Sequence, residues 1–364
     1  MSPTSYQTAP PRVASYVLAK NQALGSNPRR SRPAVAIAHT PQTSLAFPPR
    51  IPSIPPVRVA VVDIGTNSTR LMVADVDPAT AAVDVLVRHS NVTRLGHGVD
   101  ASGALAPEAI DRVFAVLDKY AAEMQTYGCE ANIAVLTSAV RDASNGPQFA
   151  AQVRERFALD ARVLSGEEEA QLTFLGAMSG RPASTEPTVV IDIGGGSTEF
   201  VVGLGHAAGF HVSVPAGVVR MSERHIHSDP PAPQELQALA LDVRRTFLEH
   251  LPPEERAPVI RAIAVAGTAT SAASIDQELD PYDPQRVHGY QLTLATVELL
   301  LARLADMDDE GRRQVVGLSP DRAPTIVAGM ILLSEAMAAF DLERVEVSEH
   351  DILYGGALRL AGVG

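Results

Sequence analysis

Cysteine is nearly absent: Cys129 is the single one in 364 residues, so no intramolecular disulfide can form and a reducing, cytoplasmic setting is expected. With no second cysteine and with histidines scattered along the chain, no ligand set for structural zinc stands out. No apolar run reaches the roughly 18 residues that a membrane-spanning helix needs. The stretch 330–340 is too short and is flanked by charge, so no membrane association is expected. Two nucleotide-loop signatures are missing: there is no G-x-x-x-x-G-K-[ST], and no G-x-G-x-x-G follows the first strand. Excess positive charge is missing too. A net charge of −12 argues against gripping nucleic acid or an acidic membrane by bulk electrostatics. A polyanionic ligand would have to be held locally, by metal, backbone amides and a few placed arginines.

What is present is a globular balance, 46% hydrophobic and 20% charged, in a chain long enough for two domains. Residues 1–56 differ from the rest. They are rich in Pro, Ser, Ala and Thr, carry Arg29, Arg30 and Arg32, and have no apolar period, which reads as a disordered leader. The alternatives are a basic targeting segment or a misplaced start, since the fold signal begins at Val57 and no Met lies between Met1 and Met72. From Val57 onward strands are expected at 57–63, 69–75 and 83–88, then a helix over 108–127 opened by Pro107. A strand at 133–137, a helix at 147–157, a strand at 161–164 and a helix at 167–178 follow. The pattern then restarts with strands at 188–192, 198–202 and 210–214 and a helix at 234–251. A strand at 260–266, helices at 268–275, in 292–304 and in 320–340, a strand at 345–347 and a helix at 351–360 complete it. Three strands followed by alternating helix and strand thus occur twice. Such a duplication implies two similar α/β domains, 57–183 and 184–364, with a cleft between them.

Each half opens with a strand that ends in Asp and runs into a glycine-bearing turn. The first is Val61-Val62-Asp63-Ile64-Gly65-Thr66-Asn67-Ser68, the second Val190-Ile191-Asp192-Ile193-Gly194-Gly195-Gly196-Ser197-Thr198-Glu199. Without a Cβ the backbone can approach a phosphate closely and aim its amides at the oxygens. The hydroxyls of Thr66, Ser68, Ser197 and Thr198 add donors, and Asp63 and Asp192 can hold Mg²⁺ or orient a water. One such turn alone reads equally as a hairpin with an Asx contact; two, each opening a repeated half, read as a paired phosphate cradle. A third candidate is Val265-Ala266-Gly267-Thr268, where a helix N-terminus would favour an anion, or a plain strand-to-helix turn.

In Ser165-Gly166-Glu167-Glu168-Glu169-Ala170-Gln171 three carboxylates open a helix. Acids suit the first turn of any helix electrostatically, and one of these three can also serve as general base for an attacking water. Arg94, in Asn91-Val92-Thr93-Arg94-Leu95-Gly96-His97-Gly98, and Arg141, in the polar segment 137–145, can each fork onto phosphate oxygens or sit in surface ion pairs. His225, His227, His288 and His350 read as structural or rim residues, and Cys129 as buried filler.

Taken together, these segments resemble the exopolyphosphatase / guanosine pentaphosphate phosphohydrolase (Ppx/GppA) family of the actin–Hsp70–sugar-kinase superfamily. Those around Asp63, Arg94, 137–145, 165–171 and 192–199, with Ser348-Glu349-His350-Asp351-Ile352-Leu353, run in family order over nearly all of 57–360. His227-Ser228-Asp229-Pro230-Pro231 is a further likeness to the short actinobacterial members. The resemblance implies two duplicated ribonuclease H-like (actin-like ATPase) domains. It also implies release of terminal phosphate from inorganic polyphosphate or guanosine pentaphosphate by water, with Mg²⁺. Glu169 would be the general base and Glu168 its rival; Asp63 and Asp192 would bind metal or water. Phosphate would meet Gly65, Thr66, Asn67, Ser68, Arg94, Arg141, Gly194, Gly195, Gly196, Ser197, Thr198, Gly267 and Thr268. A homodimer is compatible with the resemblance.

Two departures qualify it. Some family members carry a second catalytic Glu where this chain has Ser138, and the sequence stops at Gly364, before the helical C-terminal domains of the long members. High processivity on long chains is therefore not expected. Two other functions share these motifs: a non-catalytic sensor of guanosine penta- or tetraphosphate, and an ATP-dependent kinase or ATPase of the same superfamily.

Overall fold

The central strand of each half holds a short apolar run, Val59–Val62 in one and Val189–Ile191 in the other, and such runs are buried on both faces. In the computed structural model, which describes residues 55–363, both become the middle of a mixed sheet. The leader expected over 1–56 lies outside the described residues except for Pro55 and Pro56.

The first sheet comprises β1 (Val57–Ile64), β2 (Ser68–Asp77), β3 (Ala82–Val92), β4 (Ala131–Leu136) and β5 (Ala161–Val163), in the order β3-β2-β1-β4-β5. The second comprises β6 (Thr188–Ile193), β7 (Thr198–Leu204), β8 (Ala207–Val214), β9 (Arg261–Val265), β10 (Gln291–Thr293) and β11 (Arg344–Val347), in the order β10-β11-β9-β6-β7-β8. Each sheet has an antiparallel three-strand meander followed by parallel strands, and β10 adds an antiparallel edge to the second. This is the duplicated ribonuclease H-like, actin-like arrangement.

Helices cover the sheets as their apolar spacing dictates. Pro107–Tyr127 starts at proline, buries Val113, Phe114, Leu117, Tyr120 and Met124, and ends at Gly128 with φ 63°. Two helices lie between the sheets. Gly166–Met178 packs Phe174 and Met178 on Val190, Val201 and Ile263 of the second sheet, and Ile352–Leu360 packs Leu353 and Leu358 on Val59, Val61 and Val135 of the first. The two helices meet through glycine: a Cβ on Gly355 would stand 1.9 Å from the Leu172 carbonyl, and one on Gly176 1.9 Å from that of Asp351. The C-terminal helix therefore belongs in space to the first sheet, although its sequence lies beyond 183.

The helix expected in 320–340 forms, and the apolar stretch near 330 lies within it. Pro320–Ala339 is long and apolar enough to cross a membrane by length and composition. It is instead the central helix of the second domain, with Ile326, Met330, Leu333 and Met337 enclosed by the helices Pro233–His250, Leu294–Ala305 and Ala266–Asp276. Elements not anticipated include the helix Val218–His225, the short helix Ser138–Asp142, the edge strand β10 and the one-turn helices Val99–Ser102, Pro253–Arg256, Pro284–Val287 and Asp309–Arg313.

Candidate functional site

The two glycine turns are built alike. Gly65 donates to the Ser68 carbonyl at 2.9 Å, and Gly194 to the Ser197 carbonyl at 3.0 Å. Register then places Asp63 opposite Arg70 in one hairpin and Asp192 opposite Glu199 in the other. The duplicated position thus carries a cation in the first domain and a carboxylate in the second.

Neighbouring backbone holds the carbonyls of both turns. In the first, the Thr66 carbonyl accepts from Gly96, and that of Asn67 from the amides of Thr93 and Arg94. In the second, the Gly194 and Gly195 carbonyls accept from Val218, Val219 and Arg220, and the Gly196 carbonyl accepts from Arg220 Nε at 2.8 Å. A trans peptide directs each following N–H the opposite way from its carbonyl. The amides of Asn67, Ser68, Gly195, Gly196 and Ser197 are accordingly turned away from these props, the arrangement of a backbone anion nest.

The two turns face each other across the domain boundary and line a cavity of about 100 Å³. Its walls include Asp63, Gly65, Thr66, Asn67 and Ser68 from one side, and Asp192, Gly194, Gly195, Ser197 and Glu199 from the other. Ser138, Glu169, Gly267, Thr268, Arg70 and Arg322 also line it. Ala266, at the turn into the third candidate loop, takes a left-handed φ of 63°, a strained conformation for alanine.

The three glutamates separate into two roles. Glu168 makes a capping box, its carboxylate accepting from Ser165 N at 2.8 Å and its amide donating to Ser165 Oγ at 3.2 Å. Those bonds, the backbone one foremost, hold Glu168 below the usual carboxylate range. Glu167 lies along the helix surface, accepting from Gln171. Glu169, 7% exposed, turns inward and accepts from Arg141 Nη1 at 2.9 Å. Burial first, and then Glu199, push Glu169 well above its ordinary range, with Arg141 opposing them.

The cavity is acidic. Burial and Glu199 push Asp192 up to about 8. Glu199, 1% exposed, is raised by burial although Ser197 and Ser213 donate to its Oε1 at 2.6 and 2.7 Å. Asp63 is raised by burial against the pull of Arg70, which donates to its Oδ2 at 2.6 and 2.8 Å and also pairs with Asp351. Asp63 Oδ1 is buried with no hydrogen-bond partner. An orphaned carboxylate oxygen in a crowd of buried carboxylates fits a cation. Among the described residues no three Asp, Glu, His or Cys side chains converge on one point. The fit is therefore to an ion that takes one or two carboxylates and fills its remaining positions with water and phosphate oxygens, as Mg²⁺ does.

Five of the expected site residues lie outside the cavity lining. Glu168 is committed to the helix cap, and of the three glutamates Glu169 alone lines the cavity. Arg94 lies outside the cavity: its guanidinium reaches the Asp321 carbonyl at 3.4 Å, and its contribution to the site is the backbone bond to Asn67. Arg141 also lies outside and orients Glu169, with a second bond of 3.1 Å to the Leu164 carbonyl. Thr198 is buried and donates its hydroxyl to the Ala216 carbonyl. Gly196 packs against Thr66 and Ser138, behind the lining. Ser138, where some family members carry Glu, lines the cavity with its Oγ 2.9 Å from Thr66 Oγ1.

The residues that motif reading missed are Arg70, Glu199 and Arg322. The first two follow from closing each hairpin on its turn, which sets the cross-strand register. Arg322 comes from the start of the long core helix, donates to the Gly267 carbonyl at 2.6 Å and to Ser271 Oγ at 3.1 Å, and has no local signal.

Known proteins share the sequence pattern and the fold. An exopolyphosphatase 2 of Mycobacterium tuberculosis is 37% identical over 320 residues, covering 84% of this chain and 99% of that protein. The crystal structure of an exopolyphosphatase from Cytophaga hutchinsonii superposes with a TM-score of 0.74 at 26% identity, over 84% of this chain and 99% of the other. That of the Aquifex aeolicus Ppx/GppA family member gives 0.69 at 28% identity, over 83% and 96%. The sequence profile of the Ppx/GppA phosphatase family matches residues 72–359, and the chain is a member of that family.

Proposed function

We propose that this protein releases the terminal phosphate of inorganic polyphosphate by attack of water. The observation that carries the reading is Glu169, a buried carboxylate oriented by Arg141 in the wall of a cavity shared by both glycine turns. Family membership and the names of the relatives above support the same chemistry.

The terminal phosphoryl group would rest against the amides of Asn67, Ser68, Gly195 and Ser197, with the hydroxyls of Thr66, Ser68 and Thr268 as further donors and Arg70 and Arg322 nearby. A water between phosphorus and Glu169 gives its proton to that carboxylate as its oxygen bonds to phosphorus. The bridging P–O bond breaks, releasing orthophosphate and a chain shorter by one unit. Burial favours protonated Glu169, so its work as a base depends on Arg141 and on positive charge near Asp192. Asp63 and Asp192 would hold Mg²⁺, which when bound supplies charge neutralisation on the phosphate oxygens.

A second reading, guanosine pentaphosphate as substrate, is favoured by a wider cavity of about 730 Å³ next to the first. The two share Arg70, Ala266, Gly267 and Arg322, and the wider one adds Arg88, Arg313 and Tyr282. It has room for the remainder of a phosphate chain or for a nucleoside. The test offers short polyphosphate, long polyphosphate, guanosine pentaphosphate and ATP in parallel with Mg²⁺ and measures phosphate release. Release from polyphosphate supports the proposal. Absence of release with tight guanosine pentaphosphate binding would replace it by the sensor.

A further inference from the structure

On the side of the second glycine turn, the two domains are joined by ions. Helix Val218–His225 presents Arg220, Glu223 and Arg224 to the first domain. Arg220 Nη2 donates to Asp142 at 2.7 Å, its Nη1 pairs with Asp100, and its Nε donates to the Gly196 carbonyl at 2.8 Å. Arg224 reaches the other oxygen of Asp100 at 3.0 Å, and Glu223 accepts from the Gly98 amide at 3.1 Å.

The partners of Arg220 are parts of the site. Gly196 belongs to the second phosphate turn. Asp142 ends the short helix on which Arg141 holds Glu169 and Ser138 meets Thr66. One guanidinium thus spans a phosphate turn and the arm whose Arg141 holds the base, without itself lining the cavity. It uses three N–H directions on three acceptors, which an ammonium on a flexible stem does not reproduce.

We propose that Arg220 is a positioning residue for phosphate hydrolysis: through Asp100 and Asp142 it latches the closed cleft and sets the second glycine turn against the arm that holds Glu169. This rests on the hydrolase reading for its kinetic part, whereas closure is measured without turnover. The carboxylate partners of Arg220 lie in the other domain, outside the core of its own, so breaking the latch leaves each domain's core intact. A displacement of about 1 Å at the reacting groups, however, costs on the order of 10²-fold in rate.

The experiment uses the full chain, Arg220→Gln, Arg220→Lys and the double variant Asp100→Asn/Asp142→Asn, with tripolyphosphate and Mg²⁺. The interdomain distance is read by spin labels at Glu155→Cys and Glu254→Cys in a Cys129→Ser background. Arg220→Gln and the double variant are expected to lower kcat by about 10²-fold, with a smaller change in KM and melting close to the parent. Arg220→Lys does not restore the rate, the spin-label distances lengthen and broaden, and combining the changes costs no more than Arg220→Gln alone. If Arg220→Gln fails to fold, the double carboxylate variant decides. Turnover within about threefold of the parent, or a slowed enzyme with an unchanged distance distribution, overturns the proposal. A parent that releases no phosphate removes the hydrolase reading, and the distance distributions then still decide whether Arg220 closes the cleft.

Discussion

Replacing Gly195 by alanine adds one methyl where the two phosphate turns touch. That Cβ would stand 2.8 Å from Thr66 Cβ, 2.9 Å from Asn67 N and 3.1 Å from Thr66 Cγ2. Carbon atoms pack at about 3.5–4.0 Å, so the site is short by about 1 Å. Gly195 does not have a positive φ, so alanine strains no backbone there and the contact is the whole perturbation. Thr66 has little room to yield, because its Oγ1 is tied to Ser138 Oγ and the Ala139 amide, and Asn67 N is main chain. The overlap is relieved by separating the turns. Overpacking inside a single core costs about 1–3 kcal/mol; across a boundary that can open, the stability loss lies at or below the low end. Separating the turns by about 1 Å costs on the order of 10²-fold in turnover. Phosphate release and thermal melting, measured together, check this. Gly194→Ala, whose Cβ would meet only Ser197 O at 3.1 Å within its own turn, is expected to lose less. A folded Gly195→Ala protein with near-parental turnover would refute the face-to-face arrangement of the turns.

Three further outcomes are expected. Ser165→Ala removes the cap of the helix that bears Glu169 and should cost about 1 kcal/mol in denaturant unfolding, whereas Glu168→Gln should leave turnover near parental. Asp192 is raised to about 8 from an ordinary 3.8, so the folded chain binds that proton more tightly than the unfolded chain does. Its contribution to stability is full below the lower value and is lost as pH rises through the upper one. Melting in EDTA should fall across that interval and Mg²⁺ should offset the fall; parallel melting curves with and without Mg²⁺ would contradict the cation assignment. Arg94→Gln should change release from short substrates little, and a loss as large as that expected for Gly195→Ala would place its guanidinium on the substrate after all.

The parts of this account that were legible in the sequence are those written locally. The short apolar runs in β1 and β6 mark central strands, Pro107 and Gly128 bracket a helix, and the Asp–glycine turns announce the site. The spacing Ser165 to Glu168 is itself a capping signature, and with Glu168 committed to the cap Glu169 is the inward carboxylate. What could not be read locally is what distant parts of the chain supply jointly, within a domain or between the two. Arg322 reaches Gly267 across 55 positions, and Arg220 reaches Asp142 across 78. The apolar stretch around Met330 carries no signal of what surrounds it: a wholly buried core helix and a membrane span share composition, and only the packing of Pro320–Ala339 separates them.

The central claim is that water attacks a terminal phosphate with Glu169 as base. Its most direct test is tripolyphosphate hydrolysis by Glu169→Gln beside the parent, with Mg²⁺ and with folding checked by melting. The account predicts an intact fold and turnover lower by roughly 10²-fold or more. Near-parental turnover in a folded Glu169→Gln protein would contradict it.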